Sequence, residues 1–437
     1  MSLRACYYLF KIRKFPWLTP LLIEKIQRKK LRKIVKYAYE NVYFYHKKFD
    51  RANVKPDDIR SIADLVKIPV TTKDEIHASL PVELVAKNFD QRKCFKRTTS
   101  GSTGIPLAIF FDRKAISYDG AHWIRAYLEN GFKFRDKMAF ITHPHNFQKK
   151  PRIYEYFGLL RRAYISIFDD PKEQFALLRR YRPEAIQSYP SSLAILSNVI
   201  RENIISRPRL IFTTSELLDM ETRKTVRQSF GVEPTDLYGS IEFGLMAWQC
   251  GNHTGYHIES DNLVMEFLDA NEENVSPNEI GEIVCTGLNN YAMPLIRYKI
   301  GDLGIYDGEQ CSCGRGLPLL KTIEGRADDL IVSPDDRILS PRVFYPDPFG
   351  GIQGIEQFRV VQEKKNTLRI LIKANKDFPL NQAIKKGTQR IKELFGNEMQ
   401  VEFQLVEEIP RDSSGKMRKI VSLVANEYWK KKELVEQ

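Results

Sequence analysis

The sequence predicts an α/β protein. Residues 1–327 form a large N-terminal domain of mostly parallel, helix-covered sheets with an antiparallel β subdomain at about 250–325, and residues 328–437 form a small α+β domain. Three observations lead there. Short apolar runs at Met138–Ile141, Tyr164–Phe168, Ala185–Tyr189 and Leu210–Thr213 alternate with segments of helical period such as Pro171–Tyr181 and Ser191–Glu202, the pattern of parallel strands under helices. Beyond residue 255 the pattern changes to strand and turn, and Tyr256–Ile258, Leu263–Leu268, Glu282–Thr286 and Leu295–Tyr298 read as half-buried antiparallel strands. After residue 330, strands at Gln357–Gln362, Leu368–Lys373 and Gln400–Val406 accompany a helix near Leu380–Leu394.

The formal charge of +13 is unevenly spread: residues 1–50 hold 13 Lys/Arg against three Asp/Glu. A local excess of this kind argues against a general nucleic-acid reading. It falls on a predicted helix from about Leu21 to Tyr39. There Ile23, Ile26, Leu31, Ile34, Val35 and Ala38 make an apolar stripe, and Lys25, Arg28, Lys29, Lys30, Arg32 and Lys33 cover the other sides. The helix is read as docked with its charges toward water; a patch that touches an anionic membrane surface or polyanion is the alternative. No run approaches the roughly 18 consecutive apolar residues of a membrane span, and Arg4, Lys11, Arg13 and Lys14 stand where a secretion signal is apolar, so a cytoplasmic protein is expected. A homodimer stays open.

Next comes the run Thr98, Thr99, Ser100, Gly101, Ser102, Thr103, Gly104, Ile105, Pro106, ahead of an apolar strand at Leu107–Phe111. Backbone without side chains at Gly101 and Gly104 can curl its N–H groups around an anion, and the flanking hydroxyls add donors. A plain hairpin turn is the other reading, since no Gly-Lys-Ser/Thr follows. Further along, Thr213-Thr214-Ser215-Glu216 and Tyr238-Gly239-Ser240-Ile241-Glu242 lie at strand ends, where ligands of parallel sheets collect. A tyrosine beside a glycine can lay its ring on a purine, and the carboxylate of Glu242 can hold a magnesium ion against phosphate. Asp302 can accept two hydrogen bonds from a ribose diol, or cap a turn. Cys250-Gly-Asn-His253 and Cys311-Ser-Cys313-Gly314 are two short ligand pairs that can close a tetrahedral zinc site from two loops. The last domain ends in Arg411-Asp412-Ser413-Ser414-Gly415-Lys416, a cationic side chain on a Gly/Ser loop.

Together these stretches resemble the adenylate-forming enzymes, most closely the phenylacetate-CoA ligase branch with its capsular-polysaccharide and coenzyme-adenylating relatives, over about residues 25–420. The resemblance implies an ATP-dependent ligase that activates an aryl or other hydrophobic carboxylic acid as acyl-AMP with release of pyrophosphate and then forms a CoA thioester. Transfer of the acyl or AMP group to a coenzyme, amine or sugar is the alternative. It implies that Thr99–Gly104 is the phosphate loop, with Thr103 catalytic, and that Ser215, Glu216, Tyr238, Gly239 and Ser240 edge the adenine. Glu242 would hold Mg²⁺, Asp302 the ribose and Arg326 the nucleotide; Asp328 would be the hinge of a mobile small domain, and Lys416 the lysine that assists adenylation. Cys250, His253, Cys311 and Cys313 resemble a zinc-like cluster of some members. Two departures stand out: Ser333-Pro334-Asp335-Asp336-Arg337 puts acids where many CoA-using members carry a glycine, and Leu107 replaces a polar residue. His143, His145, Tyr189 and Ser240 are candidates for the acid pocket.

Overall fold

The structure is a computed structural model and describes residues 3–99, 106–148, 150–200, 207–344, 349, 352, 354–412 and 414–425. It divides into two compact units, one of residues 1–135, 152–160 and 235–323, the other of residues 136–151, 161–234 and 324–437.

The first unit starts with α1 (Leu3–Ile12) and α2 (Pro20–Asn41). Pro20 opens α2 at a position where its missing N–H costs nothing. Ile23, Leu31, Ile34, Val35 and Ala38 are buried, the last four in one cluster with Phe49, Val264, Leu288 and Ile296. Each large aliphatic side chain contributes about 1.5–3 kcal/mol there. Two positions differ from the predicted stripe. Gln27 is buried in place of Ile26, because its amide donates to the Leu263 carbonyl at 2.8 Å, and Lys30 turns inward to the Asp261 carbonyl at 2.6 Å. A hairpin follows, β1 (Phe95–Thr98) against β2 (Ala108–Phe111), in antiparallel register from Phe95↔Phe111 to Thr98↔Ala108.

In the second unit β3 (Lys137–Thr142), β4 (Arg161–Ser166), β5 (Ala185–Ser188) and β6 (Leu210–Thr214) form a parallel sheet in the order β6-β5-β3-β4. Helices Pro171–Tyr181, Pro190–Ile200 and Met220–Phe230 cover it through Phe175, Leu178, Leu193, Leu196, Val226 and Phe230. The predicted alternation is therefore present, and Asp170 and Asp219 cap two of these helices as a short carboxylate at an N-cap should.

The first unit's antiparallel strands are β7 (Thr235–Ser240), β8 (Gly244–Gln249), β9 (Tyr256–Ile258), β10 (Leu263–Leu268), β11 (Ile280–Gly287), β12 (Tyr298–Asp307) and β13 (Leu319–Arg326), ordered β10-β11-β12-β13-β9-β8-β7. Two expectations change here. β8, β9, β10 and β11 are almost wholly buried rather than half-buried, β8 at every position, since N-terminal helices such as α2 on β10 and Arg113–Glu129 on β8 cover the sheet, whereas β12 and β13 are half-buried as expected. Leu295–Arg297 is not strand. Arg297 takes φ +45 and sends its guanidinium to Glu266 at 3.2 Å and to the Ile68 carbonyl at 2.7 Å, so pairing starts only at Tyr298.

Residues beyond 330 have their own core, built on Phe344, Val360, Leu368, Ile370, Ile391, Phe395 and Ile420. A short hairpin, β14 (Ile331–Val332) with β15 (Ile338–Leu339), precedes a sheet of β16 (Ile355–Lys364), β17 (Thr367–Ala374), β18 (Gln400–Leu405) and β19 (Ile420–Ser422), ordered β18-β17-β16-β19, with the helix Leu380–Phe395. Among the described residues no helix is long and apolar enough to cross a membrane.

Candidate active site

The β1–β2 hairpin ends in the Gly/Ser run. Thr99 closes its neck twice: its N–H donates to the Leu107 carbonyl and its hydroxyl accepts from the Leu107 N–H, both at 2.9 Å. That hydroxyl is therefore used within the hairpin. Ser100, Gly101, Ser102, Thr103 and Gly104 lie outside the described residues.

Tyr238, Gly239 and Ser240 end β7, and Glu242 lies in the turn Ile241–Phe243 that leads to β8. Gly239 is required by packing, since a Cβ there would stand 2.7 Å from the Gly244 carbonyl oxygen. Ser240 accepts the Phe243 N–H at 3.1 Å and so holds the turn. The Tyr238 hydroxyl donates to Asp302 on β12 at 2.7 Å, which brings together two residues 64 apart in sequence. Asp302 sits inside β12 rather than at a strand end. Beneath them lies Cys285 of β11, whose buried thiol is pushed well above its ordinary range by burial and then by the carboxylates of Glu266, Asp302 and Glu242. Nothing in the sequence pointed to this cysteine.

In the second unit the carboxyl ends of the parallel strands carry Thr142-His143 after β3, Tyr189 after β5 and Ser215-Glu216 after β6. Ser215 takes φ +75, a left-handed conformation uncommon outside glycine. The Glu216 carboxylate accepts the Ser191 N–H at 2.9 Å, the Ser191 hydroxyl at 3.0 Å and the Met417 N–H at 2.6 Å. The C-terminal loop is thus held at the carboxyl ends of the parallel strands. Arg411 adds bonds to the hydroxyls of Ser191 and Ser192 at 3.0 and 3.1 Å, and Lys419 meets buried Asp219 at 2.6 Å. Gly415 takes φ +81, a conformation that strains any other residue, and a Cβ there would press on the tip of Ile167. Lys416 donates its N–H to Asp412 at 2.9 Å, and among the described residues its ammonium makes no ion pair. Sequence reasoning missed Arg411, Lys419 and Asp219, for which spacing offers no signal. Arg326 ends β13 and Asp328 lies in the 3₁₀ turn Ala327–Asp329, its side chain outside the described residues; the neighbouring Asp329 pairs with Arg418.

The thiolate cluster departs from the reading of the sequence. Cys250, Cys311 and Cys313 come together with His257, not His253, their ligand atoms all within 4.8 Å of one another. His253 belongs to the turn after Cys250: it takes φ +53 and donates its N–H to the Cys250 carbonyl. His257 is fully buried on β9, opposite Trp248 of β8 and Leu319 of β13. Cys250 and Cys311 sulfurs are 3.8 Å apart and Cys313 Sγ is 3.4 Å from His257 Nε2. Tetrahedral zinc with Zn–S near 2.3 Å requires S···S of about 3.8 Å, so the residues fit that ion. Burial, then Arg315, pushes the His257 imidazole down to about 4, leaving it a neutral ligand at pH 7. Burial pushes the Cys250 thiol up to about 11, whereas bonds from Arg315 outweigh burial at Cys313 and lower it.

The fold matches crystal structures of 2-hydroxyisobutyryl-CoA ligase in complex with 2-HIB-AMP, with a TM-score of 0.77, 19% identity and coverage of 97% of this chain and 94% of that one. The chain shares the fold of these acyl-CoA ligase structures and is similar in sequence to the phenylacetate-coenzyme A ligases. It is 28% identical to phenylacetate-coenzyme A ligase of Thermus thermophilus over 326 residues, 71% of this chain and 72% of the relative. Protein CapK of Staphylococcus aureus is 24% identical over 423 residues, 90% and 88% of the two chains, and residues 331–423 match the CapK C-terminal domain family.

Proposed function

We propose that the protein activates a carboxylic acid, aryl or otherwise hydrophobic, as an acyl adenylate at the expense of ATP. The observation that carries this reading is the constellation on the antiparallel sheet, where Tyr238 is bonded to Asp302 beside the turn that holds Glu242. In the reaction a carboxylate oxygen of the acid attacks the α-phosphorus, the bond to the bridging oxygen breaks, and pyrophosphate leaves with its electron pair. Little covalent help is needed, so the protein aligns two anions and absorbs charge. Asp302 accepts from the ribose hydroxyls and Tyr238 keeps that carboxylate in place. Glu242 holds Mg²⁺, which when bound neutralises charge on the phosphate oxygens. The loop around Ser100–Gly104 donates to the phosphates, Thr103 included, Ser215 and Gly239 edge the base, and Lys416 brings its ammonium to the developing charge. His143, His145 and Tyr189 at the parallel strand ends line the acid side. The hinge near Asp328 divides the chain at 327/328, a reading supported by the self-contained core after residue 330 and by the CapK match from 331 onward. The protein acts in the cytoplasm.

Transfer to CoA is the preferred second step. The acids at Asp335 and Asp336 oppose it less than their charge suggests: Asp335 is held by Arg337 at 2.7 Å and Asp336 by Lys365 at 2.6 Å. The second reading, transfer to a non-CoA acceptor, rests on those same two acids, which stand where many CoA-using members of the resembled family carry a glycine. Pyrophosphate release measured across a panel of carboxylic acids, with and without CoA, separates the two. Release that no acid stimulates would overturn both.

Cys250, His257, Cys311 and Cys313 hold a structural zinc ion that ties the loop after β8, the strand β9 and the loop before β13. Protein purified without chelator should contain zinc at about one ion per chain. His257→Ala should lose it and His253→Ala should keep it; retention in the His257 variant would refute the ligand assignment.

A further inference from the structure

The outer face of the two N-terminal helices is left unused by catalysis. α1 buries Ala5, Leu9 and Ile12, the last two packing on the helix Arg113–Glu129, so Tyr7 and Phe10, at i and i+3, point the other way. Phe10 is 74% exposed and Tyr7 52%; where α2 begins, Leu21 is 78% exposed and Leu22 41%. Between them Trp17 is anchored by its indole N–H to Glu129 at 3.1 Å and by Arg315 over its ring, yet is still half exposed. α2 buries Ile23, Gln27, Leu31, Ile34 and Ala38, which sets Lys25, Lys29, Arg32 and Lys36 in a row along the opposite face. Of these four only Lys36 has an ion pair among the described residues, with Glu40 at 3.9 Å. Residues 4–36 contain 11 Lys/Arg and one carboxylate, Glu24.

Large apolar side chains left exposed and interleaved along the chain with cations mark an interaction site. We propose that α1 and the outer face of α2 dock this protein on an anionic phospholipid membrane: Tyr7, Phe10, Leu21 and Leu22 enter the headgroup region, while Lys25, Lys29 and Arg32 meet the lipid phosphates. Aromatic rings favour that depth and basic residues concentrate at negatively charged leaflets. A nucleic acid would satisfy the cations but leave the two leucines without a partner. A second copy across a two-fold axis would bring the same dense cationic face against itself.

Flotation of the purified full chain with vesicles at physiological salt tests this. The chain should bind vesicles of phosphatidylcholine with about a third phosphatidylserine at least tenfold more tightly than pure phosphatidylcholine. The Tyr7→Ser/Phe10→Ser variant should lose about tenfold, and Lys25→Gln/Lys29→Gln/Arg32→Gln roughly 100-fold, at about fivefold per cation, with thermal melting unchanged. Should the aromatic variant fail to fold, Leu21→Ser/Leu22→Ser makes the same comparison. Wild-type chain that stays with the buffer, variants that bind as well as wild type, tighter binding to duplex DNA than to the vesicles, or a dimer in light scattering that Phe10→Ser dissociates would each overturn the proposal.

Discussion

Lys416→Ala is expected to lower acid-dependent pyrophosphate exchange by about 10²–10³ while the protein melts as before. The loop that carries Lys416 is positioned by other residues: Arg411 on Ser191 and Ser192, the Met417 N–H on Glu216, and Lys419 on Asp219. Lys416 itself contributes a backbone bond to Asp412, which alanine keeps. The substitution thus removes an ammonium and almost nothing else. If a thiol-transfer step exists, it should survive in the variant when pre-formed acyl adenylate is supplied, since the proposed role of the lysine ends with the first half-reaction. Arg411→Ala is the informative contrast, since it loosens the loop and should impair exchange even with Lys416 present. An undiminished exchange rate in Lys416→Ala would mean that the loop is ordinary surface and that its catalytic assignment is mistaken.

Arg125→Met should destabilise the protein by about 3–5 kcal/mol, read as a fall in the denaturant midpoint. Arg125 is buried on the helix Arg113–Glu129 and donates to Asp261 through both terminal nitrogens, at 2.8 and 2.9 Å, to Glu259, and to the Ile12 carbonyl at 2.9 Å. Glu259 also accepts the indole N–H of Trp248 at 2.8 Å, and buried His122 lies 3.4 Å from Asp261. Burial alone would raise the Asp261 carboxyl; Arg125 and then His122 overcome it and hold it well below the usual carboxylate range. Without the guanidinium two carboxylates remain buried side by side and the end of α1 loses its tie. Adding Glu259→Gln and Asp261→Asn to the Arg125 variant should recover part of the loss, because neutral amides no longer need the cation. A single-variant loss below about 1 kcal/mol would show that the network does not act as one unit.

Local signals in the chain were enough for several elements. The helix Pro171–Tyr181 was legible because Asp170 suits its N-cap and Pro171 its first turn. β9 and β10 were legible because short, mostly apolar runs lie between turn residues, even with buried His257 and Glu266 inside them. In α2 and ahead of β12 a buried polar residue misled the reading. Gln27 stands in the stripe of α2 only because the Leu263 carbonyl waits for it, and Arg297 breaks a strand because Glu266 and the Ile68 carbonyl do. Neither partner is near in sequence.

The same division runs through the candidate site. Which short motifs are present, and in what order, could be read along the chain, since a Gly/Ser loop, a Tyr-Gly turn with Glu242, Asp302 and a lysine loop are each local in composition. Only the tertiary structure decided their partners: that Tyr238 bonds to Asp302, that the Glu216 carboxylate holds the C-terminal loop, and that His257 rather than His253 completes the three cysteines. The last case shows the physical reason. A ligand is chosen by where a strand's pleat points a side chain, and the short spacing of Cys250 and His253 is spent on making the turn.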